Sequence, residues 1–494
     1  MRNKNTLFIS ILFLVPFLLS SCTSFGPAPT ATATASEVPS ATVTTSPTNT
    51  PVPTATPEPA LERAKYTLNT TIDYDAHTIT VDETILYPNL TGNQLNTLVL
   101  AIVPNLWPDS FSLGSITIDG TPTTTYSFEG QRLDIALSSF TRPGGVLTIN
   151  IQYSLVLPLV GPNDPQVSRP QIYGYTQKQT NLTNWYPFVV PYIDGDWVLH
   201  DPWFYGEHLV YDAADYEVNL KFTDLATAPV VAASGAPELQ ADFTRYSITS
   251  ARAFAISASR EFQVAALQVG DVTISSYYFP LNETPGQAVL KSSAEAVQVF
   301  DQRYGPYPHK TLSIVMADFK DSMEFSALFF HSPLYYAQYD KTPMNYLTFI
   351  GVHETAHQWW FEQVANDQAQ QPWMDEALAT YSERVYYENI HPDLVSQWWA
   401  YRVDFFQPQG FIDIPVYDGQ GFEPYRITVY LEGAHFFEDL RTRIGDDAFF
   451  AFLQDYLVQG RGKIVTPADF FRILKEHSST DYSDIVRQYF QNSY

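Results

Sequence analysis

The stretch "FIGVHETAHQWWFEQV", Phe349 to Val364, decides how this chain is read. His353 and His357 stand four residues apart in a run compatible with a helix. At 3.6 residues per turn they share one helix face, one turn apart. Two imidazoles so placed can share one Zn²⁺ at about 2.1 Å each. Glu354 is rotated about 100° from His353. That sets it beside such a metal, able to hold a water rather than to ligate. The pattern H-E-x-x-H is that of a metalloprotease helix. With 10 histidines in the sequence, on the order of 0.01 such motifs arise by chance. The plain alternative is a helix that carries partly exposed histidines.

A catalytic zinc takes three protein ligands and leaves a fourth position for water. The segment after His357, "QWWFEQ", lacks the Gly and third His of the longer zincin pattern, so the third ligand lies elsewhere. Glu362, five past His357, points about 140° away if the helix continues. "PWMDEALATYSERV" offers Asp375 and Glu376 where a second helix should begin. A helix end, a turn and a returning helix fit between His357 and Glu376. Taken alone, Glu376 also reads as a first-turn carboxylate that favours the helix dipole.

Outward from this motif the chain separates by pattern. Its 494 residues exceed one small domain. Arg2 and Lys4 precede the short apolar run Leu7 to Leu19, broken by Pro16, which suits a signal peptide over residues 1–21. "LSSC" ends on Cys22, the single cysteine, and resembles a bacterial lipobox whose cysteine sulfur takes a lipid. A lone thiol excludes an intrachain disulfide. Residues 22–60 are rich in Thr, Pro and Ala, with too little apolar surface to fold. Extended, this stalk reaches on the order of 100 Å. The implied location is the extracytoplasmic face of a cell membrane, held by the lipid anchor.

From 61 to 265, period-two runs such as "HTITVDETILY", "GVLTINIQYSLVL" and "YEVNLKF" predict an antiparallel all-β domain. From 266 to 494 the pattern turns to mixed α and β. "TPGQAVLKSSAEAVQVFDQRYGPYP" predicts a helix capped by Thr284, with Pro285 first and Gly305-Pro306 as the stop. "TLSIVMADF" predicts a buried strand. Further helices are expected around 347–365, 373–388, 429–444 and 448–458. A formal charge of -26 argues against a nucleic-acid partner.

These residues resemble the gluzincin metallopeptidases of the aminopeptidase N type. In that family a Glu nineteen residues after the second His is the third zinc ligand, and Glu376 is nineteen after His357. "WMDEALATY" resembles the family's W-L-N-E-G-(F)-A, with Asp375 and Ala377 as departures. "FDQRYGPYPHKTLSIVMADF" resembles the segment before its substrate-binding strand. "DSMEFSALFF" resembles its G-x-M-E-N motif, with Ser322 and Phe325 as departures. That match places Glu324 where the family holds a substrate's free α-amino group. "YLEGAHFFEDLRTRIGDDAF" resembles its Y-E-K-G-A helix and places Tyr430 at the catalytic tyrosine.

The resemblance implies an N-terminal β-sandwich or saddle domain, followed by a thermolysin-like α/β catalytic domain with a short helical C-terminal part. It implies one zinc ion on His353, His357 and Glu376, and peptide substrates with a free N-terminus. Zinc lowers the pKa of bound water to about 7, with Glu354 as general base. Tyr430 and the metal are expected to stabilise the tetrahedral oxyanion. Many members carry a large helical domain beyond the tyrosine, and its lack after Tyr430 suggests a more open cleft. Two rivals stand beside a zinc aminopeptidase. One is an endopeptidase using the same zinc, favoured if Glu324 is not at an amine site. The other is an inactive surface-binding lipoprotein. His309, His331 and His435 are expected to be structural.

Overall fold

The computed structural model describes residues 61–161, 172–320 and 322–494. The proposed signal peptide, Cys22 and the stalk lie outside the described residues. Alternation of apolar and polar residues dominates the first part and produces strands. Thr78–Pro88 turns Ile79, Val81, Glu83 and Ile85 to one side and its polar residues to the other. It pairs antiparallel with Ala64–Asp73 and with Val146–Val156 in an eight-stranded sheet. One pair departs from the antiparallel expectation. Ala64–Asp73 runs parallel to Ala214–Phe222, from Ala64 opposite Ala214 to Ile72 opposite Phe222. A parallel neighbour needs a long connection, and here most of the β-rich part lies between the two strands.

Two cores divide this region. Leu68, Leu98, Ile149 and Val218 belong to the first. From Phe262 onward nearly all buried hydrophobic side chains belong to the second, Ala327 alone among the described residues joining the first. That core is built on a five-stranded sheet ordered Gln263–Val269, Val272–Tyr278, Thr311–Met316, Leu328–His331 and Met323–Phe325. Its middle three strands are parallel. The helix Glu283–Arg303 makes the crossover between the first two of these. The β-rich N-terminal part and the α/β C-terminal part therefore follow the expected order. The new sheet begins at Gln263, within what was read as the β domain, because Gln263–Val269 forms a hairpin with Val272–Tyr278.

Helix ends differ from the sequence reading in informative ways. The crossover helix starts at Glu283 with Asn282 before it, so Thr284 and Pro285 lie inside the first turn rather than at the cap. The histidine-bearing helix spans Tyr346–Ala356 and stops there, not at 365. His357 is its C-cap, still in the right-handed helical region, and its N–H donates to the His353 carbonyl at 3.2 Å. Glu362 consequently lies beyond this helix. It is buried against His309 Nε2 at 2.6 Å and the Ser326 hydroxyl, which occupies it structurally. The returning helix spans Glu376–Ile390, after a 3₁₀ turn at Pro372–Met374. A helix over Gly433–Ile444 is preceded by π-helical Ile427–Glu432. The helices Pro467–His477 and Ser483–Tyr489 were not anticipated.

Arg252 joins the β-rich part to the C-terminal α/β part. It is fully buried. Its Nε donates to Glu362 O at 3.0 Å, Nη1 to Tyr211 O at 3.2 Å, and Nη2 to Gln363 O and Lys463 O at 3.2 and 3.0 Å. Removing it strands several buried carbonyls, each costing about 1–3 kcal/mol. Arg252→Ala is expected to destabilise the fold by about 3 kcal/mol or more, read as a lowered midpoint in denaturant unfolding; an unchanged midpoint refutes the clamp.

Candidate active site

The histidine helix starts at Asn345, whose side-chain oxygen accepts from Thr348 N at 3.1 Å. One turn apart on this helix, His353 and His357 bring their Nε2 atoms to 3.1 Å. The returning helix sets Glu376 Oε2 3.1 Å from His353 Nε2 and 3.4 Å from His357 Nε2. All three side chains are buried. Ligands at about 2.1 Å around a tetrahedral ion stand about 3.4 Å apart, so the triangle matches that spacing.

The chemistry of the donors also fits a cation. His357 Nδ1 donates to the Trp360 carbonyl at 3.0 Å, and His353 Nδ1 to Glu383 Oε1 at 3.2 Å. Those bonds fix each ring's δ proton and aim each Nε2 lone pair at the same point. Burial opposes charging the rings, yet the Glu324 and Glu376 carboxylates raise His357 well above the ordinary imidazole range. Against the cost of burial, His357 and His353 in turn hold Glu376 well below the usual carboxylate range. Glu383 is locked behind His353 by Arg402 Nε and Nη2 at 2.9 and 2.8 Å and by Trp398 Nε1 at 3.1 Å.

Glu354 shares a wall of the same cleft. Its Oε2 is buried without a protein partner, and burial pushes its carboxyl up to about 8. Glu324 arrives from the edge strand Met323–Phe325. One oxygen-bearing end of Glu324, one of Glu354 and a nitrogen of His357 lie within 4.8 Å of one another. Gln358, the residue after His357, holds the Glu324 hairpin. Its Oε1 accepts from Ala327 N at 2.9 Å, and its Nε2 donates to Phe325 O at 3.0 Å.

Tyr430 lies in the π-helical turn, and its ring stacks on His353 with centroids 5.8 Å apart. Burial, with Glu376 nearby, raises its hydroxyl well above the usual phenol range, so it keeps its proton. Gly433 lets this segment close on the returning helix. A Cβ there would stand 2.3 Å from Ala377 Cβ. Phe325, where the resembled motif has Asn, is buried edge-on against Phe330 and contributes an apolar surface to the cleft lining.

Sequence reasoning missed four members. Gln368 Nε2 donates to Glu324 Oε1 at 3.2 Å and to Asp375 Oδ2 at 2.7 Å. Glu207 enters from the β-rich part and lines the cleft, its carboxyl raised by burial and by the nearby Glu324 and Glu376. Glu383 and Arg402 complete the set. Only Glu383 carried a sequence signal, one helical face with Glu376 seven residues earlier. His331 Nε2 donates to Leu347 O, and His435 sits between Glu432 and Asp404, so neither approaches the triangle.

A buried His-His-Glu triangle at the edge of a mixed α/β domain, with an acidic cleft of about 790 Å³, defines a zinc metallopeptidase-type centre. Residues 289–489 match the family profile described as "Peptidase family M1 domain". The matched segment lies over the α/β part that carries the triangle. The fold is similar to solved M1 zinc metallopeptidases from Deinococcus radiodurans. A mutant form aligns with TM-score 0.63 and 17% identity over 86% of this chain and 94% of that one. The same mutant bound to a Tyr-Ser-Ala substrate aligns at 0.62 and 18%, over 88% and 96%. A third structure, without the mutation, aligns at 0.62 and 18%, over 86% and 92%. No curated protein matches the sequence.

If Glu383 orients His353, Glu383→Gln is expected to weaken zinc binding about 10–100-fold. Competition with a chromogenic chelator measures this; wild-type affinity in the variant excludes the role.

Proposed function

We propose that the protein is a zinc-dependent aminopeptidase. The observation that carries this reading is the placement of Glu324. A buried carboxylate, anchored by Gln368 and next to both His357 and Glu354, suits the free α-amino group of a peptide. Glu207 adds a second acidic group to that part of the cleft. A peptide held there by its amino end presents its first peptide bond to the centre and no later one.

His353, His357 and Glu376 would hold a zinc ion, which would supply Lewis-acid polarisation of the scissile carbonyl and acidification of water. Glu354 takes the proton from the attacking water on its unpartnered Oε2 and returns it to the departing amine. Tyr430 keeps its hydroxyl proton and donates it as a hydrogen bond to the developing oxyanion. Glu383, backed by Arg402 and Trp398, keeps His353 in register throughout.

We further propose that residues 1–21 direct export and that a lipid on Cys22 tethers the enzyme at the extracytoplasmic face of a membrane. Among the described residues no helix is long and apolar enough to cross one.

Glu354→Gln is expected to retain stoichiometric zinc while peptide hydrolysis falls about 10²–10⁴-fold. The assay pairs peptides with free and N-acetylated amino ends, with and without chelator. Blocked peptides cut as fast as free ones would rule out the aminopeptidase reading in favour of an endopeptidase. Activity that survives Glu354→Gln would remove its role as base. Cys22→Ala is expected to shift the protein from the membrane to the soluble fraction; a variant that still pellets with membranes refutes the anchor.

A further inference from the structure

Glu324 sits on a hairpin that needs outside support. Met323–Phe325 and Leu328–His331 are joined by the two-residue turn Ser326-Ala327. Ala327 has φ 53°, in the left-handed region, which costs an alanine about 1–2 kcal/mol. Bonds from other segments offset that cost. Ser313 N, on the neighbouring strand, donates to Ala327 O at 2.9 Å. Gln358 clasps the turn through Ala327 N and Phe325 O. The buried Ser326 hydroxyl, two residues past Glu324, is a further hold. It accepts from Arg252 N at 2.8 Å and from Ala253 N at 3.1 Å, and it donates to Glu362 Oε2.

Glu362 is the link between that turn and the histidine segment. Its Oε1 accepts from His309 Nε2 at 2.6 Å, while Oε2 takes the Ser326 proton. Its own N–H donates to the His357 carbonyl at 3.0 Å. One residue thus runs from the backbone of a metal-facing histidine to the turn beside Glu324. Glu362 and His309 are both buried. Neither they nor Ser326 are among the residues that line the cleft. A buried carboxylate with both oxygens engaged is confined to one placement, so it fixes a distance as well as a contact. From this geometry we infer that Glu362, backed by His309, is a positioning residue that sets Glu324 against the His353–His357–Glu376 centre. It governs discrimination in favour of a free amino end without touching the substrate. An anchor displaced by about 1 Å can cost on the order of 100-fold in rate. Gln358 and the strand pairing still hold the hairpin when Glu362 is changed, so the loss expected here is smaller.

This inference rests on the aminopeptidase reading, and the test separates the two. The zinc-loaded full chain is assayed on Leu-Gly-Phe and on N-acetyl-Leu-Gly-Phe, and the readout is the ratio of their kcat/KM values, free over acetylated. Glu362→Gln keeps the shape of the side chain but cannot accept from both Ser326 and His309. Its ratio is expected to fall on the order of tenfold, through a higher KM for the free peptide. Loss of folded or zinc-loaded enzyme lowers both substrates by the same factor and leaves the ratio alone, so a merely structural defect does not mimic the effect. His309→Leu removes the donor behind Glu362 and is expected to lower the ratio in the same direction; His309→Gln restores a donor and recovers part of it. Glu324→Ala removes the anchor itself, and adding Glu362→Gln to it is expected to lower the ratio no further. A ratio that stays at the parent value in both Glu362→Gln and His309→Leu overturns the inference, as does a further fall in the double variant. A parent ratio near one rejects the aminopeptidase reading itself.

Discussion

Two imidazole nitrogens and one carboxylate oxygen meet within 3.1–3.4 Å of each other, away from water. Nothing in ordinary packing favours that meeting. Each Nε2 has its lone pair turned inward because its ring's Nδ1 proton is already committed, to Trp360 O in one case and to Glu383 in the other. Facing lone pairs and a buried carboxylate repel unless a cation lies between them. The surrounding structure holds the arrangement in place: Arg402 and Trp398 brace Glu383, and Gln358 ties the histidine segment to the Glu324 hairpin. The reaction chemistry of the cleft depends on this one enforced convergence.

The departures from the resembled motifs are absorbed by local compensation. Ala377 places a methyl where the resembled motif has glycine, and Gly433 opposite it provides the space. Asp375 stands where that motif has Asn. Burial pushes its carboxyl up to about 8, and it accepts from Gln368 Nε2 and Asn366 Nδ2 at 2.7 and 3.2 Å. Phe325 packs on Phe330 at the cleft wall, and strand pairing with Leu328–His331 sets the backbone of the neighbouring Glu324.

The β-rich part contributes to the site as well as to the scaffold. The segment 203–211 supplies Trp203, Tyr205, Glu207 and Tyr211 to the cleft. Arg252 fixes the end of that segment through the Tyr211 carbonyl while also binding carbonyls of Glu362, Gln363 and Lys463. A single buried guanidinium thus holds one wall of the cleft against the other.

The sequence by itself determined what is local or periodic. The spacing of His353, Glu354 and His357 follows from 3.6 residues per turn, and a helix carries that information within five residues. Alternation along Thr78–Pro88 and Val146–Val156 marked strands for the same reason. Resemblance, rather than geometry, supplied Glu376, Glu324 and Tyr430, and the fold then brought all three to the same cleft. Only the tertiary structure decided the rest. The parallel pairing of Ala64–Asp73 with Ala214–Phe222 joins segments far apart in the chain. Gln368, Glu207 and Arg402 reach the site from a turn, a β-domain loop and a π-helical turn, none of which has a repeating signature. Local periodicity reports which face a residue occupies; which distant segment meets that face is settled by packing and by the need to satisfy every buried charge.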